Sequence, residues 1–397
     1  MGRRKKITTE CENQISIFDA NKGELLEYQM KRLFFFMGYY VKTNINIQTS
    51  SDEPYDVVTD LDVYGNYIHK DFLKKTIWAD CKSGDAQEIN RIAWLNGIKS
   101  IIKVDDILFI KKGTKISTKL FANSHHIQIV DLNMVSDMER KYGIDNGDWR
   151  NLWNPISQKQ YIDTFKHIKT PNNEIYKRIL KFINTHYWAI EDNFTRCKKT
   201  ITALKDLSDF VGLPLASKEI EAIRWAIFEL IGLLMFAMLQ ICRQIHYLPN
   251  RDKKELIING LIYGSNSKAK IQDILKVTNN IAKKTMENYC GHEIGSMCMP
   301  EIRLNSPEYS EAFVDMILRI TEKPMHYFDI LRFLDFSLSQ YDLQHKEYDL
   351  KELASIFCNH KELLKSMKVY LHFISYITRI PLSEFSIMEN TDCVKKG

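Results

Sequence analysis

Apolar residues recur at three- and four-residue steps between 22 and 37, where Leu25, Leu26, Met30, Leu33, Phe34 and Met37 share one side of a helix. Gly38 is a fitting stop for it. The pattern then changes to alternation. Val41, Ile45 and Ile47 predict a strand over 39–47, and the run Thr49 to Pro54 predicts a turn. A second strand is expected over 57–64, ended by Gly65 and Asn66, and a third over 76–82 before the turn Ser83-Gly84-Asp85. A helix over 86–101 turns Ile89, Ile92, Ala93, Leu95 and Ile98 inward. A strand over 106–111, a short helix over 117–123 and a strand over 127–132 complete the series. The order α-β-β-β-α-β-α-β reads as an α+β or α/β domain, a mixed central sheet flanked by helices.

From about residue 155 the helical period dominates and strand signals nearly vanish. Helices are expected at 157–169, 172–186, 190–207, 217–244, 252–261, 268–289, 307–321, 326–339, 349–358 and 361–378. Turn residues between Gly143 and Pro155 separate the two styles, so the division expected is 1–145 and a mostly α-helical domain at 146–397. The segment 225–239 is apolar all round, but Glu229 lies inside it and a bilayer span needs about 20 apolar residues. It is expected as the central core helix of the second half, with no membrane, against the competing reading of a membrane-associated protein.

Composition adds little. The chain has 397 residues, 45% hydrophobic and 26% charged, which is globular and excludes wholesale disorder. Fifty-five Lys and Arg against 50 Asp and Glu give a net charge of +5, which permits a polyanionic partner without requiring one. The 8 cysteines are scattered, with no C-x-x-C pair, and the basic start Arg3-Arg4-Lys5-Lys6 runs into polar residues and not into an apolar signal segment. Reduced thiols and a cytoplasmic location are the expectation. Cys290, His292 and Cys298 could supply three zinc ligands, but no fourth is evident.

Polar residues on the strands carry the chemistry. Side chains alternate along a strand, so Asp60, Asp62 and Tyr64 share one face and Trp78, Asp80 and Lys82 share another. If those two strands pair antiparallel, Asp62 and Asp80 sit side by side. Adjacent carboxylates repel, which raises one pKa or calls for a cation between them. Mg²⁺ is held by one or two carboxylates with waters and phosphate oxygens, and Lys82 would reach the same spot. The Asp-x-Lys spacing alone is weak, since Asp349-Leu350-Lys351 repeats it, and charged strand residues are most often a solvated face.

In this context the residues resemble the PD-(D/E)xK, restriction-endonuclease-like nuclease superfamily, and within it the Mrr-like and Holliday-junction-resolvase-like branches. The features that carry the likeness are Glu27 on a helix ending in Gly38-Tyr39, the run Thr59-Asp-Leu-Asp-Val-Tyr-Gly65, and the strand Ile77-Trp-Ala-Asp-Cys-Lys82. The later elements follow in family order as far as Asp131. The likeness covers residues 20–135, about a third of the chain. It implies a divalent-metal-dependent endonuclease of a bacterial restriction or anti-phage system. Mg²⁺ or Mn²⁺ would be held by Asp62, Asp80, the backbone carbonyl of Cys81 and Glu27, with Asp60 able to share the role. Lys82 would position or activate the water. Gln87 or Glu88 could meet substrate or metal water, unless the glutamate only compensates the helix dipole. Lys111, Lys112 and Lys115, with the Arg3–Lys6 tail, could meet the phosphate backbone of nucleic acid, DNA before RNA, the other reading of the three lysines being a plain solvated loop. The helical half would serve recognition, sensing, a homo-oligomer or a partner protein. The reading from another class is a nucleic-acid-binding or scaffold protein whose nuclease-like domain is inactive.

Overall fold

A computed structural model of the chain describes residues 20–50, 54–82, 87–171, 173–264, 266–291 and 304–388. Helix α1 (Lys22–Phe36) opens on a capping box, in which Asn21 accepts from the Glu24 N–H at 2.8 Å and Glu24 accepts from the Asn21 N–H at 3.2 Å. Gly38, at φ +101°, turns the chain into β1 (Tyr40–Gln48). Next come β2 (Val57–Ile68), β3 (Lys74–Cys81), α2 (Glu88–Ile102), β4 (Asp106–Ile110), α3 (Ile116–Ser124), β5 (Ile127–Val130) and α4 (Leu132–Lys141). The strands form one five-stranded sheet in the order β1-β2-β3-β4-β5. The pairs β1/β2 and β2/β3 are antiparallel, while β3/β4 and β4/β5 are parallel and are bridged by α2 and α3.

The expected end of the second strand is wrong. Gly65 and Asn66 lie inside β2, where Gly65 pairs with Val41 on one side and Ile77 on the other. A Cβ at Gly65 would stand 2.8 Å from Ile77 Cγ2 and 3.1 Å from Tyr39 Cβ, so this glycine serves close packing and not a turn. In α2 the inward set shrinks to Ile92, Leu95 and Ile98, and Ile89 and Ala93 are exposed. Helix α4 was not expected. Asp131, at the end of the family-like series, caps it by accepting from the Asn133 N–H at 3.0 Å.

The remainder is helical, as expected: α5 (Pro155–Lys166), α6 (Glu174–Lys181), α7 (Tyr187–Ala189), α8 (Asn193–Ser208), α9 (Ser217–Ile245), α10 (Asn250–Tyr263), α11 (Lys268–Cys290), α12 (Ser310–Glu322), α13 (Pro324–Tyr327), α14 (Ile330–Ser337), α15 (Leu350–Ile356) and α16 (His360–Thr378). A π-helical turn at Phe182–His186 joins α6 to α7. The single helix expected over 326–339 is broken at Asp329, whose φ is +70°. Helix α9 is long and apolar enough to cross a bilayer, yet 89% of its apolar window is buried, and α5, α8, α12 and α14 pack around it.

Two cores sandwich the sheet. On one face Tyr64, Trp78, Ile107, Phe109 and Ile127 meet Ile92, Leu95 and Ala122 of α2 and α3. On the other, Val63, Ile77, Ala79, Leu108 and Ile110 join a core that includes α1 and α4 and continues without a break into the helical half. Phe35 stacks on Phe336 at 5.8 Å and meets Trp153 edge-on at 5.5 Å. Lys42 of β1 reaches Glu229 of α9 at 2.7 Å and Asp335 of α14 at 3.2 Å. The stretch expected as a turn-rich join therefore contains the fully buried Trp153.

Candidate active site

The register of β2 on β3 pairs Val63 with Ala79, and its next step brings Asp62 opposite Asp80. The backbone ladder stops there. In its place the Asp62 carboxylate accepts the Cys81 N–H at 2.7 Å, so this side chain fastens the end of β3 to β2. Asp80 also pairs in register with Phe109 of β4 and is 1% exposed. Lys82 follows directly, its N–H donating to the Ile110 carbonyl at 3.1 Å, and its Nζ lies 3.5 Å from Asp62 Oδ2 and 3.5 Å from Asp80 Oδ1. Lys82 thus stands between the two carboxylates named with it from the sequence, where β2 and β3 part.

The electrostatics follow from this crowding. Burial pushes the Asp62 carboxyl above its usual range, with Asp80 and Asp60 adding to the effect, while Lys82 and the Cys81 N–H pull the other way. Burial alone would lower the Lys82 ammonium, but Asp80 and then Asp62 outweigh it and the group is raised. Beside these two carboxylates the ammonium is favoured, and it can orient a water or meet a phosphate. Glu27 enters from α1. Its carboxyl is pushed up to about 7, by burial first and then by the charge of Asp62. Asp60 stands exposed on β2 opposite Asn46 and contributes at longer range.

The sequence missed Arg91. One turn into α2, its Nε donates to Asp80 Oδ2 at 2.9 Å and its second nitrogen to Asp80 Oδ1, a bidentate fork. The guanidinium lies over the Trp94 ring, 3.9 Å from its centroid. A lone arginine on a helix surface gives no sequence signal of such a role. Other expected residues separate from the cluster. Lys111 is buried and donates to Glu88 Oε1 at 3.0 Å, so it is committed to that carboxylate. Lys112, Lys115 and Gln87 are exposed, and Gln87, Glu88 and Lys111 line an open cavity of about 430 Å³. For Cys81 the N–H is the group tied into the site, and burial holds its thiol far above the usual range.

Oxygen donors on Asp62 and Asp80 suit a hard divalent cation, which takes one or two carboxylates and completes its shell with water. Among the described residues no three His, Cys, Asp or Glu side chains converge closely enough to form a ready cage. A cation approaching Asp80 meets Arg91 on the same two oxygens. Cys290 is exposed at the end of α11, and His292 and Cys298 lie outside the described residues, as does the Arg3–Lys6 tail. In comparisons with protein-family models, with curated proteins and with solved structures, nothing matches this chain.

Proposed function

We propose that the chain is a divalent-metal-dependent nuclease with a restriction-endonuclease-like domain, acting on DNA in a bacterial restriction or anti-phage setting. The observation that carries the reading is the position of the Lys82 ammonium, 3.5 Å from both Asp62 and Asp80 where two antiparallel strands diverge. Mg²⁺ or Mn²⁺ on these two carboxylates would polarise the scissile phosphate and neutralise the leaving oxygen. The chain itself supplies the rest. Asp62 holds the strand ends together through the Cys81 N–H and keeps the pair in register. Lys82 orients the attacking water and offsets negative charge building on the phosphate. Glu27 accepts hydrogen bonds from water on the α1 side. Exposed Lys112 and Lys115 offer contacts to the backbone of the nucleic acid.

The test is cleavage of plasmid DNA, single-stranded DNA and RNA with Mg²⁺ or Mn²⁺, comparing wild type with Lys82→Ala and Asp80→Ala. Each variant should lose about 100-fold or more in rate, the scale of losing one electrostatic contact to a transition state. Equal activity in all three, or none with any substrate and ion, overturns the proposal. A second reading, a nucleic-acid-binding or scaffold protein with an inactive domain, draws on the Arg91 fork that occupies both oxygens of Asp80. It predicts binding that needs no divalent ion and is not followed by cleavage.

A further inference from the structure

Two neighbouring carboxylates at a strand end need a cation between them or must give up a charge. Here two side chains supply it, and they differ in kind. Lys82 touches each carboxylate once and loosely, at 3.5 Å. Arg91 grips both oxygens of the more buried one, Asp80, and is braced from behind by Trp94. Its side chain remains 25% exposed, so it has solvent to move into, whereas Asp80 at 1% has nowhere to go. The oxygens Arg91 occupies are those a divalent cation would take.

We infer that Arg91 is a built-in competitor for the metal: it closes Asp80 in the metal-free protein and is displaced on loading, which frees a guanidinium beside the site for a phosphate oxygen. This rests on the reading of Asp62 and Asp80 as the metal pair. A merely structural ion pair tying α2 to β3 would behave differently. Its removal would loosen the site and weaken metal binding, while removal of a competitor tightens it.

The experiment titrates Mn²⁺ into the full chain after stripping with chelator. Free Mn²⁺ is read by electron paramagnetic resonance, and thermal melting is followed alongside. Arg91→Gln should bind Mn²⁺ at least about tenfold more tightly than wild type, the equivalent of about 1.4 kcal/mol. Arg91→Lys, which keeps the charge but loses the fork, should fall between them. Asp80→Asn should bind much more weakly than wild type. If Arg91→Gln folds and binds no more tightly than wild type, while Asp80→Asn still weakens binding, the competitor is refuted and the metal pair survives. If Asp80→Asn binds as wild type does, the metal pair falls and the competitor with it. Should Arg91→Gln fail to fold, Arg91→Lys decides: affinity equal to or below wild type refutes the inference. No Mn²⁺ binding in any variant also refutes it.

Discussion

Replacing Lys42 with Met removes the one ammonium, among the described residues, that lies within 4 Å of both Glu229 and Asp335. The three side chains are 10%, 15% and 10% exposed, so the two acids would be left in a site with little water. Breaking a buried ion pair from one side costs about 3–5 kcal/mol. Two features favour the lower end of that range. Burial already raises the Asp335 carboxyl, which can take up a proton when Lys42 is gone, and the buried Lys31 lies close enough to act on it. A loss of about 3 kcal/mol is expected, against a total stability on the order of 5–15 kcal/mol. At roughly 2.1 cal/mol/K per residue, a chain of this length unfolding as one unit would melt about 4 °C lower. Urea denaturation followed by circular dichroism and tryptophan fluorescence measures the change. The pH dependence has a fixed sign. A carboxyl raised in the folded state, as Asp335 is, contributes stability at low pH that is lost as pH rises through its folded value. The deficit of Lys42→Met should therefore be larger at pH 8 than at pH 5. The triple variant Lys42→Met, Glu229→Gln, Asp335→Asn should recover at least half of the loss. A deficit below about 1 kcal/mol, or one that grows on acidification, would refute the view of this cluster as a desolvated joint between β1, α9 and α14.

Glu27→Gln, measured in chelator, should stabilise the protein at pH 8 and leave it unchanged at pH 4.5. The Glu27 carboxyl is raised to about 7, first by burial and then by Asp62, so its contribution is present below 4.5 and gone above 7. Because water reaches part of the group, the gain at pH 8 is about 1–2 kcal/mol, and an equal gain at both pH values would contradict the assignment. Gly232→Ala would put a Cβ 2.7 Å from the Tyr40 hydroxyl oxygen and should cost about 1–3 kcal/mol. Tyr40→Phe in the same chain should restore most of that loss in a denaturation experiment, and a double variant no better than the single one would show that the clash lies elsewhere.

Much of the architecture is legible because periodicity is a local property. Every strand and helix expected in the first 132 residues is present, and the apolar run 225–239 sits in the buried core helix α9. Misreadings occur where distant chain decides. Gly65 and Asn66 look like a turn until β2 acquires a partner on each side. Ile89 and Ala93 look inward until α2 settles with only Ile92, Leu95 and Ile98 against the sheet. Helix α4 itself was missed, although its cap is local: Asp131 accepts from the Asn133 N–H two residues on.

The candidate site divides in the same way. Strand alternation and an Asp-x-Lys spacing are written in the sequence, and with antiparallel pairing they suffice to bring Asp62, Asp80 and Lys82 to one place. Nothing local says that Arg91 will fork Asp80, that Lys111 will be spent on Glu88, or that Lys42 will bridge two acids nearly 190 and 300 residues away. Charged side chains default to solvent, and only the packing of one element over another removes that choice. Local pattern sufficed for most of the elements and for which carboxylates can meet. The tertiary structure decided which cations meet them, because desolvation and counter-charge depend on neighbours in space and not on neighbours in the chain.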